Sequence, residues 1–468
     1  MNTVAVAMQT APAWDRDLIG RYDLAGPRYT SYPTAPQFRD EFGEGAMARA
    51  IERSNSRGGP LSLYFHIPFC SRVCYYCACN RIVTANRDRA GPYLARLERE
   101  LAMQAQLFDT ARPVTQLHWG GGTPTFISDG EKRRLMAAIG RHFRLLDDDS
   151  GEYAIEIHPG DTSVESLRCL RELGFNRLSM GVQDFDPDVQ AAVNRFNSVA
   201  EVRTLVDAGR GLGFHSISMD LIYGLPRQNR ASFDRTLDEV IGLSPDRLSI
   251  FNYAHLPHLF KVQRQMDASL MPGPDEKLAM LEHATARLLA AGYVFIGMDH
   301  FAKPDDNLAV AQREGRLQRN FQGYATQGDC DLLAFGVSAI SAVGDTLFQN
   351  HKEIGDYNAA VDSGSVPVAR GIDLSRDDRI RGAVIESLIC HFRLDITGIE
   401  DRFGIHFRRY FAAELANLRA MADDGLLEIG AREIRVTRAG RLLIRRICMV
   451  FDAYLSGSGG QPRFSRII

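Results

Sequence analysis

A chain of 468 residues with 45% apolar and 24% charged side chains has ordinary globular composition, and is long enough for a large domain with additions. Its formal net charge of −3 gives no electrostatic basis for general nucleic-acid binding, although local basic pockets stay open. No apolar run approaches the roughly 20 residues a helix needs to cross a bilayer, and the opening MNTVAVAMQTAPAWDRD lacks a cationic secretory start, so a soluble, cytoplasmic protein is expected.

Residues 1–60 mix polar, Gly and Pro positions around RYTSYPTA (28–35) and read as an arm or lid, with a short helix over 45–54. Strand-like runs follow at 61–67, 115–120, 153–157, 177–182, 216–222 and 247–253, with helical patterns such as 93–108 and 199–213 between them. Strands alternating with helices imply right-handed crossovers and a parallel sheet. Six such units suit an α/β fold with a partial (β/α)6-type barrel over 61–300, and no internal repeat supports a solenoid. Residues 301–372 read as a barrel extension and connecting segment. Beyond them, helical stretches at 376–391 and 406–422 precede a hairpin over 426–437 turning near Gly430, then a final helix to about Tyr454. Residues 373–468 are therefore expected to form a mainly helical, winged-helix-like domain ending in a flexible tail, SGSGGQPRF.

Four of the eight cysteines fall in CSRVCYYCAC (70–79); Cys169, Cys330, Cys390 and Cys448 are scattered, which excludes a disulfide scaffold. Cys70-x3-Cys74-x2-Cys77 follows the first predicted strand, so its thiols lie at a strand's carboxyl end, where βα barrels assemble active sites. Thiolates select zinc or iron–sulfur. Structural zinc usually takes two cysteine pairs separated by a longer segment, whereas a single crowded loop suits an iron–sulfur cluster better. Three ligands on a four-iron cluster leave one iron open. Zinc and free redox thiols are the competing readings.

HWGGGTPT (118–125) follows the second predicted strand and matches neither the dinucleotide fingerprint nor the P-loop. Its glycines serve either a tight turn or a close approach to a ligand. Glu156, Gln183 and Asp220 recur at the ends of later strands, and buried carboxylates need partners, so a shared cavity is expected. Arg195 could instead pair with a surface acid, and Tyr64 and His66 could simply pack between strands.

CxxxCxxC with the aromatic Tyr76 before its third cysteine resembles the signature of radical S-adenosylmethionine enzymes. RYTSYPTA, YFHIPFC, HWGGGTPT, GVQDF, DLIYGLP, FNYAHLP, NFQGY and GVSAIS, in order over 28–341, narrow the resemblance to oxygen-independent coproporphyrinogen III oxidases. That family also has an additional C-terminal domain. The resemblance implies a radical S-adenosylmethionine barrel, with Cys70, Cys74 and Cys77 holding a [4Fe-4S] cluster. It places Tyr64, Gly121, Glu156 and Ile340 on the S-adenosylmethionine at the open iron. It places Tyr76, Gly122, Thr123, Gln183, Arg195, Asp220 and Ala254 on a second copy. Cys79 matches an additional cysteine that is needed without being a ligand, and Phe321 and Gln322 fall in a loop that approaches the reacting region. This chain departs from the family pattern at His158, where an acid is expected, and at Ala78, often glycine.

The reaction so implied turns two propionates of coproporphyrinogen III into vinyls, giving protoporphyrinogen IX for haem synthesis. No side-chain base could deprotonate the unactivated propionate carbon, whereas a 5′-deoxyadenosyl radical can take its hydrogen atom. Implied partners are the porphyrinogen and a low-potential electron donor such as a flavodoxin-type protein, with the chain a monomer that binds no nucleic acid. Arg21, Arg28 and Arg319 are candidate anchors for the substrate's carboxylates. The alternatives are a related haem-binding chaperone, against which Cys79, RYTSYPTA and NFQGY argue, and a zinc protein whose tail helix binds DNA.

Overall fold

The strand Leu61–Ile67 (β1) is buried on both faces apart from the partly buried Tyr64, with Leu61, Leu63, Phe65 and Ile67 on one face and Ser62, Tyr64 and His66 on the other. The computed structural model describes residues 11–455 and Arg466; the first ten residues of the arm and the glycine-rich tail lie outside them. From β1 the sheet continues through Pro113–Gly121 (β2), Glu152–Ile157 (β3), Arg177–Gln183 (β4), Ser216–Tyr223 (β5) and Arg247–Asn252 (β6). Each pairs with its predecessor in parallel. Helices Ala90–Ala105, Asp129–His142, Val164–Glu172, Val199–Gly211 and Arg230–Leu243 form the crossovers. Ser128, Ser198 and Asn229 close capping boxes at three of their starts, satisfying amides that the first turn leaves unpaired.

The six-strand partial barrel is therefore present, with strand limits within about two residues of those expected. The segment that follows it adds four strands to the sheet. Asp331–Phe335 (β7) pairs in parallel with the free side of β1. Ile340–Val343 (β8), Thr346–Asn350 (β9) and Val368–Asp373 (β10) then continue the sheet antiparallel. Under β1 and β7, Phe65 and Phe335 stack at 4.8 Å, while Trp119 meets Phe175 edge-on at 5.0 Å. Each such buried side chain contributes about 1.5–3 kcal/mol.

The chain forms two compact units. One is Phe38–Gly273 with Asp329–Asp373; the other is Met1–Gln37, Pro274–Gly328 and Leu374–Ile468. This grouping differs from the contiguous division read along the sequence. The arm divides at residue 37, its expected helix (Glu44–Arg57) belonging to the barrel unit, and Pro274–Ala290 groups with the C-terminal residues. Within that second unit the arm is fastened rather than free. The Tyr29 hydroxyl donates to Asp452 at 2.9 Å, the Ala453 amide donates to the Tyr32 hydroxyl at 3.0 Å, and Arg21 pairs with Asp424 at 2.7 Å.

The expected C-terminal helices and hairpin are seen, the hairpin as Leu427–Ile429 against Glu433–Val436. The single helix expected over 406–422 breaks at Phe411, whose backbone leaves helical geometry while its buried ring packs on Phe407 and Phe451. The final helix, Ile444–Met449, stops short of Tyr454.

Two buried carboxylates tie the barrel unit together. Asp331, at the start of β7, accepts from Ser54 (2.5 Å) and the Gly344 amide (2.8 Å), and pairs with Arg112 (2.8 Å) and Arg57 (2.6 Å). Burial pushes its carboxyl up, but these hydrogen bonds and charges hold it below its ordinary range. Arg112→Ala leaves that carboxylate undercompensated; urea denaturation should show a loss of about 3 kcal/mol, the low end for a broken buried pair because Arg57 remains.

Glu100 accepts from the Gly336 amide, Tyr357, Asn350 and Gln104 at 2.7–2.9 Å. Burial nevertheless pushes its pKa from 4.5 up to about 7. Between those values the folded protein keeps a proton that the unfolded chain releases, so stability should fall as pH rises from about 4.5 through about 7. The loss is about 3 kcal/mol, and the slope should flatten in Glu100→Gln when denaturation midpoints are compared across that window.

Candidate active site

The cysteine loop leaves β1 through Phe69–Cys70, which pairs in parallel with Ile82–Val83. Its two arms are fixed by backbone bonds from Ile82 N to Pro68 O (2.7 Å) and Thr84 N to Cys70 O (2.9 Å). Its centre is held by Tyr75 N to Val193 O (3.0 Å), by the Asn194 side chain on Val73 O (2.8 Å) and by Gln263 on Tyr76 O (3.2 Å). All three expected ligand sulfurs receive a donor. The Thr123 hydroxyl reaches Cys70 Sγ at 3.6 Å, Arg195 Nη1 reaches Cys74 Sγ at 3.5 Å, and the Cys79 amide reaches Cys77 Sγ at 3.5 Å.

These sulfurs line one cavity with Cys79, Tyr76 and the ends of β2 to β5, which supply Gly121, Gly122 and Thr123, then Glu156, Gln183 and Asp220; Arg195 closes it. The glycines serve protein packing as well as access. A Cβ on Gly120 would meet Glu156 at 2.8 Å, one on Gly121 would meet His66 at 2.5 Å, and one on Gly122 would meet the Pro68 carbonyl carbon at 2.6 Å. Gly121 also has φ +111°, a conformation that disfavours a side chain. The turn reading and the ligand reading of this motif are therefore both expressed in one structure.

Besides Asp161, which accepts from the Ser71 hydroxyl at 2.6 Å, the carboxylates of Glu156 and Asp220 line the cavity. Burial pushes Glu156 up, but the His118 hydrogen bond and charge (3.3 Å) and the Gly121 amide (3.1 Å) hold it below its ordinary range. Burial, aided by repulsion from Glu156, pushes Asp220 up to about 6. A cationic group entering here would relieve both. Arg195 is buried, donates to the Gly181 carbonyl and touches Cys74, which overturns the surface ion-pair reading. Gln183 ends β4 at a register shift with φ +70°, and its buried Oε1 lacks a hydrogen-bond partner among the described residues. An orphaned buried acceptor in a cavity wall fits a ligand donor.

Other expected residues stand back from these walls. Tyr64 lies on β1 and hydrogen-bonds His66 Nδ1 (3.1 Å), whose Nε2–H donates to Asn80 O (2.9 Å). Ala254 contributes its carbonyl to Gln263 (3.4 Å), and Ile340 begins β8. Phe321 and Gln322 belong to the second unit, in the turn between Gln318–Asn320 and Gly323–Ala325. The three arginines considered as anchors all have partners there: Arg21 with Asp424, Arg28 with Asp299, and Arg319 over the Tyr324 ring at 4.7 Å.

Ser179 and Gly181 also line the cavity. The period of two along β4, counted back from Gln183, places them on the same face and would have found them. His158, two residues beyond Glu156, lines it too, with the Gly160 amide on its Nδ1 at 3.1 Å. Burial and the nearby Arg195 charge push His158 down to about 4, so a neutral ring stands where the family pattern has an acid.

No three His, Cys, Asp or Glu side chains among the described residues converge on a single metal ion.

The Radical SAM superfamily matches residues 64–240, and the HemN C-terminal domain matches residues 374–443. The oxygen-independent coproporphyrinogen III oxidase of Pseudomonas aeruginosa is 55% identical over 97% of this chain and 99% of that protein. The protein of the same name from Escherichia coli K12 is 51% identical over 97% and 98%. The chain belongs to the oxygen-independent coproporphyrinogen III oxidase family. A solved structure of coproporphyrinogen III oxidase (HemN) from Escherichia coli, described as a radical SAM enzyme, matches with a TM-score of 0.90 and 50% identity. That match covers 95% of this chain and 100% of the other. Membership of the radical SAM superfamily within this oxidase family implies a [4Fe-4S] cluster and S-adenosylmethionine, and the orphaned acceptor, paired carboxylates and three-thiol loop fit them. No helix among the described residues is long and apolar enough to cross a membrane.

The thiols differ in the iron-free protein. Cys77 is held down to about 6, first by a thiol hydrogen bond from Cys79 and, against burial, by the charges of Arg81 and Arg195. Burial pushes Cys70 up to about 11. Iodoacetamide at pH 7 should therefore label Cys77 well before Cys70. In Cys79→Ala the Cys77 midpoint should move up and labelling at pH 7 should slow roughly threefold or more, read by peptide mass spectrometry.

Proposed function

We infer that this chain catalyses the oxygen-independent oxidative decarboxylation of two propionate side chains of coproporphyrinogen III to vinyls, giving protoporphyrinogen IX in haem biosynthesis. The carrying observation is the single cavity that joins the three-thiol loop to Glu156, Gln183, Arg195 and Asp220. When bound, the cluster and S-adenosylmethionine supply a 5′-deoxyadenosyl radical able to take a hydrogen atom from an unactivated carbon.

Cys70, Cys74 and Cys77 would hold the cluster, and the donors at their sulfurs favour the thiolate form. Tyr64, Gly121, Glu156 and Ile340 are assigned to one S-adenosylmethionine. Tyr76, Gly122, Thr123, Gln183, Arg195, Asp220 and Ala254 are assigned to a second. Glu156 and Asp220 supply the negative charge that a sulfonium or ammonium group needs, and Gln183 Oε1 supplies a free acceptor. Cys79 acts on Cys77 through its thiol and amide and is not a ligand. Phe321 and Gln322 serve the substrate, with the Gln322 amide fixed on Asn320 Oδ1 at 2.9 Å. Arg319 is the preferred carboxylate anchor, since its buried Nη1 has no hydrogen-bond partner among the described residues. The reading includes a low-potential donor of flavodoxin type and a monomeric chain.

The test is anaerobic reconstitution with iron and sulfide, followed by reductant, S-adenosylmethionine and coproporphyrinogen III. Protoporphyrinogen IX should form with 5′-deoxyadenosine and methionine, and Cys74→Ala should lose at least about 1,000-fold in turnover because removing one member of a cooperating unit abolishes its function. S-adenosylmethionine cleavage without porphyrinogen product would sink the reading while leaving the superfamily chemistry. Stoichiometric haem binding without decarboxylation would favour the chaperone.

A further inference from the structure

Two large apolar side chains lie exposed beside the cysteine loop. Val83 is 42% exposed and Phe196 is 44% exposed. Val83 pairs in register with Cys70. Phe196 directly follows Arg195, whose guanidinium lies 3.5 Å from the Cys74 sulfur. The exposed Arg72, between Cys70 and Cys74, lays its guanidinium over the Phe196 ring at 5.5 Å. The bonds from Tyr75 N to Val193 O and from Asn194 to Val73 O tie the Phe196 segment to the loop.

The charge around this surface is mainly positive. Arg87 and Arg89 are exposed just beyond Val83, Arg87 with its guanidinium over the Phe126 ring at 5.0 Å, and with Arg72 they outnumber Asp88 and Asp161. Asp161, the acid facing the loop, takes the Ser71 hydroxyl at 2.6 Å. This patch sits on a chain of net charge −3, so its sign is local.

We propose that this face docks the electron carrier: an acidic one-electron protein of the flavodoxin class, whose carboxylates meet Arg72, Arg87 and Arg89 and whose apolar rim meets Phe196 and Val83. The proposal rests on the functional reading above, in which the cluster must be reduced by one electron before each radical forms. The carrier loses one electron and the cluster gains it, with no proton or bond exchanged between the proteins. A small apolar centre ringed by one sign of charge gives such a transient complex orientation and a fast encounter.

The experiment uses the full chain with Phe196→Asp, Val83→Asp and, separately, Arg89→Glu. Calorimetric titration with oxidised flavodoxin, on the iron-free and the reconstituted protein, reads docking without turnover. Stopped-flow reduction of the reconstituted cluster by reduced flavodoxin, and by dithionite in parallel, reads electron delivery. Each Asp variant should weaken flavodoxin affinity and slow flavodoxin-driven reduction roughly tenfold, while dithionite-driven reduction stays within about twofold. Arg89→Glu should act through the encounter, with a smaller salt dependence than the unchanged protein. Unchanged flavodoxin affinity and rate in all three variants would overturn the proposal, and so would equal slowing with both reductants, which places the effect at the cluster. If dithionite-reduced unchanged protein fails to cleave S-adenosylmethionine, the functional reading falls, whereas the calorimetric result still decides the surface.

Discussion

The cavity depends on one close approach between two pieces of backbone. Gly122 and Thr123, running off β2, donate to the carbonyls of Ile67 (2.9 Å) and Phe69 (2.7 Å), so the second strand continues alongside the root of the cysteine loop. A side chain at Gly122 would strike Pro68 and Phe69. The contact places the Thr123 hydroxyl on Cys70 and sets the glycine turn against Glu156. Cysteine position, carboxylate position and cavity shape are thus consequences of a packing distance that glycine alone permits.

Around that contact the electrostatics divide. The cysteine side is supplied with donors and positive charge by Arg195, Arg81 and Thr123, which suits thiolates. The far wall carries Glu156 and Asp220, which suit a cation, and burial, aided by repulsion from Glu156, raises Asp220. Arg195 belongs to both halves: it touches a sulfur, and its charge also offsets the cost of the buried Asp220. A site arranged this way holds opposite charges apart in a poorly solvated space, where each is felt strongly.

Much of this was legible in the residues. The apolar runs of the six barrel strands mark their own limits, and the cysteine spacing and glycine turn fall at strand ends, where period and position agree. What escaped was decided by distant partners. Residues 301–372 read as a barrel extension and connecting segment, but the strand pairing of β7 to β10 was not legible, because short apolar runs carry no periodicity and their place in the sheet comes from β1. Phe411 ends a helix because its ring is wanted in the core, which propensity does not record. The family resemblance places Arg195 at the site, but nothing near it in sequence reveals its contact with Cys74. Asp331 and Glu100 are ordinary polar letters until residues more than 200 positions away close around them.

The pairing of β7 with β1 has a consequence for synthesis. Leu61 and Asp331 are register partners, yet at about 5–20 residues per second a ribosome needs roughly 14 to 54 s to travel between them. Throughout that interval β1, almost wholly buried in the folded protein, has one edge without its native neighbour. An unpaired strand edge is a template for another chain. The strand that carries the cysteine loop therefore waits for its partner while synthesis continues, and the barrel unit can be completed only after residues 329–373 have emerged.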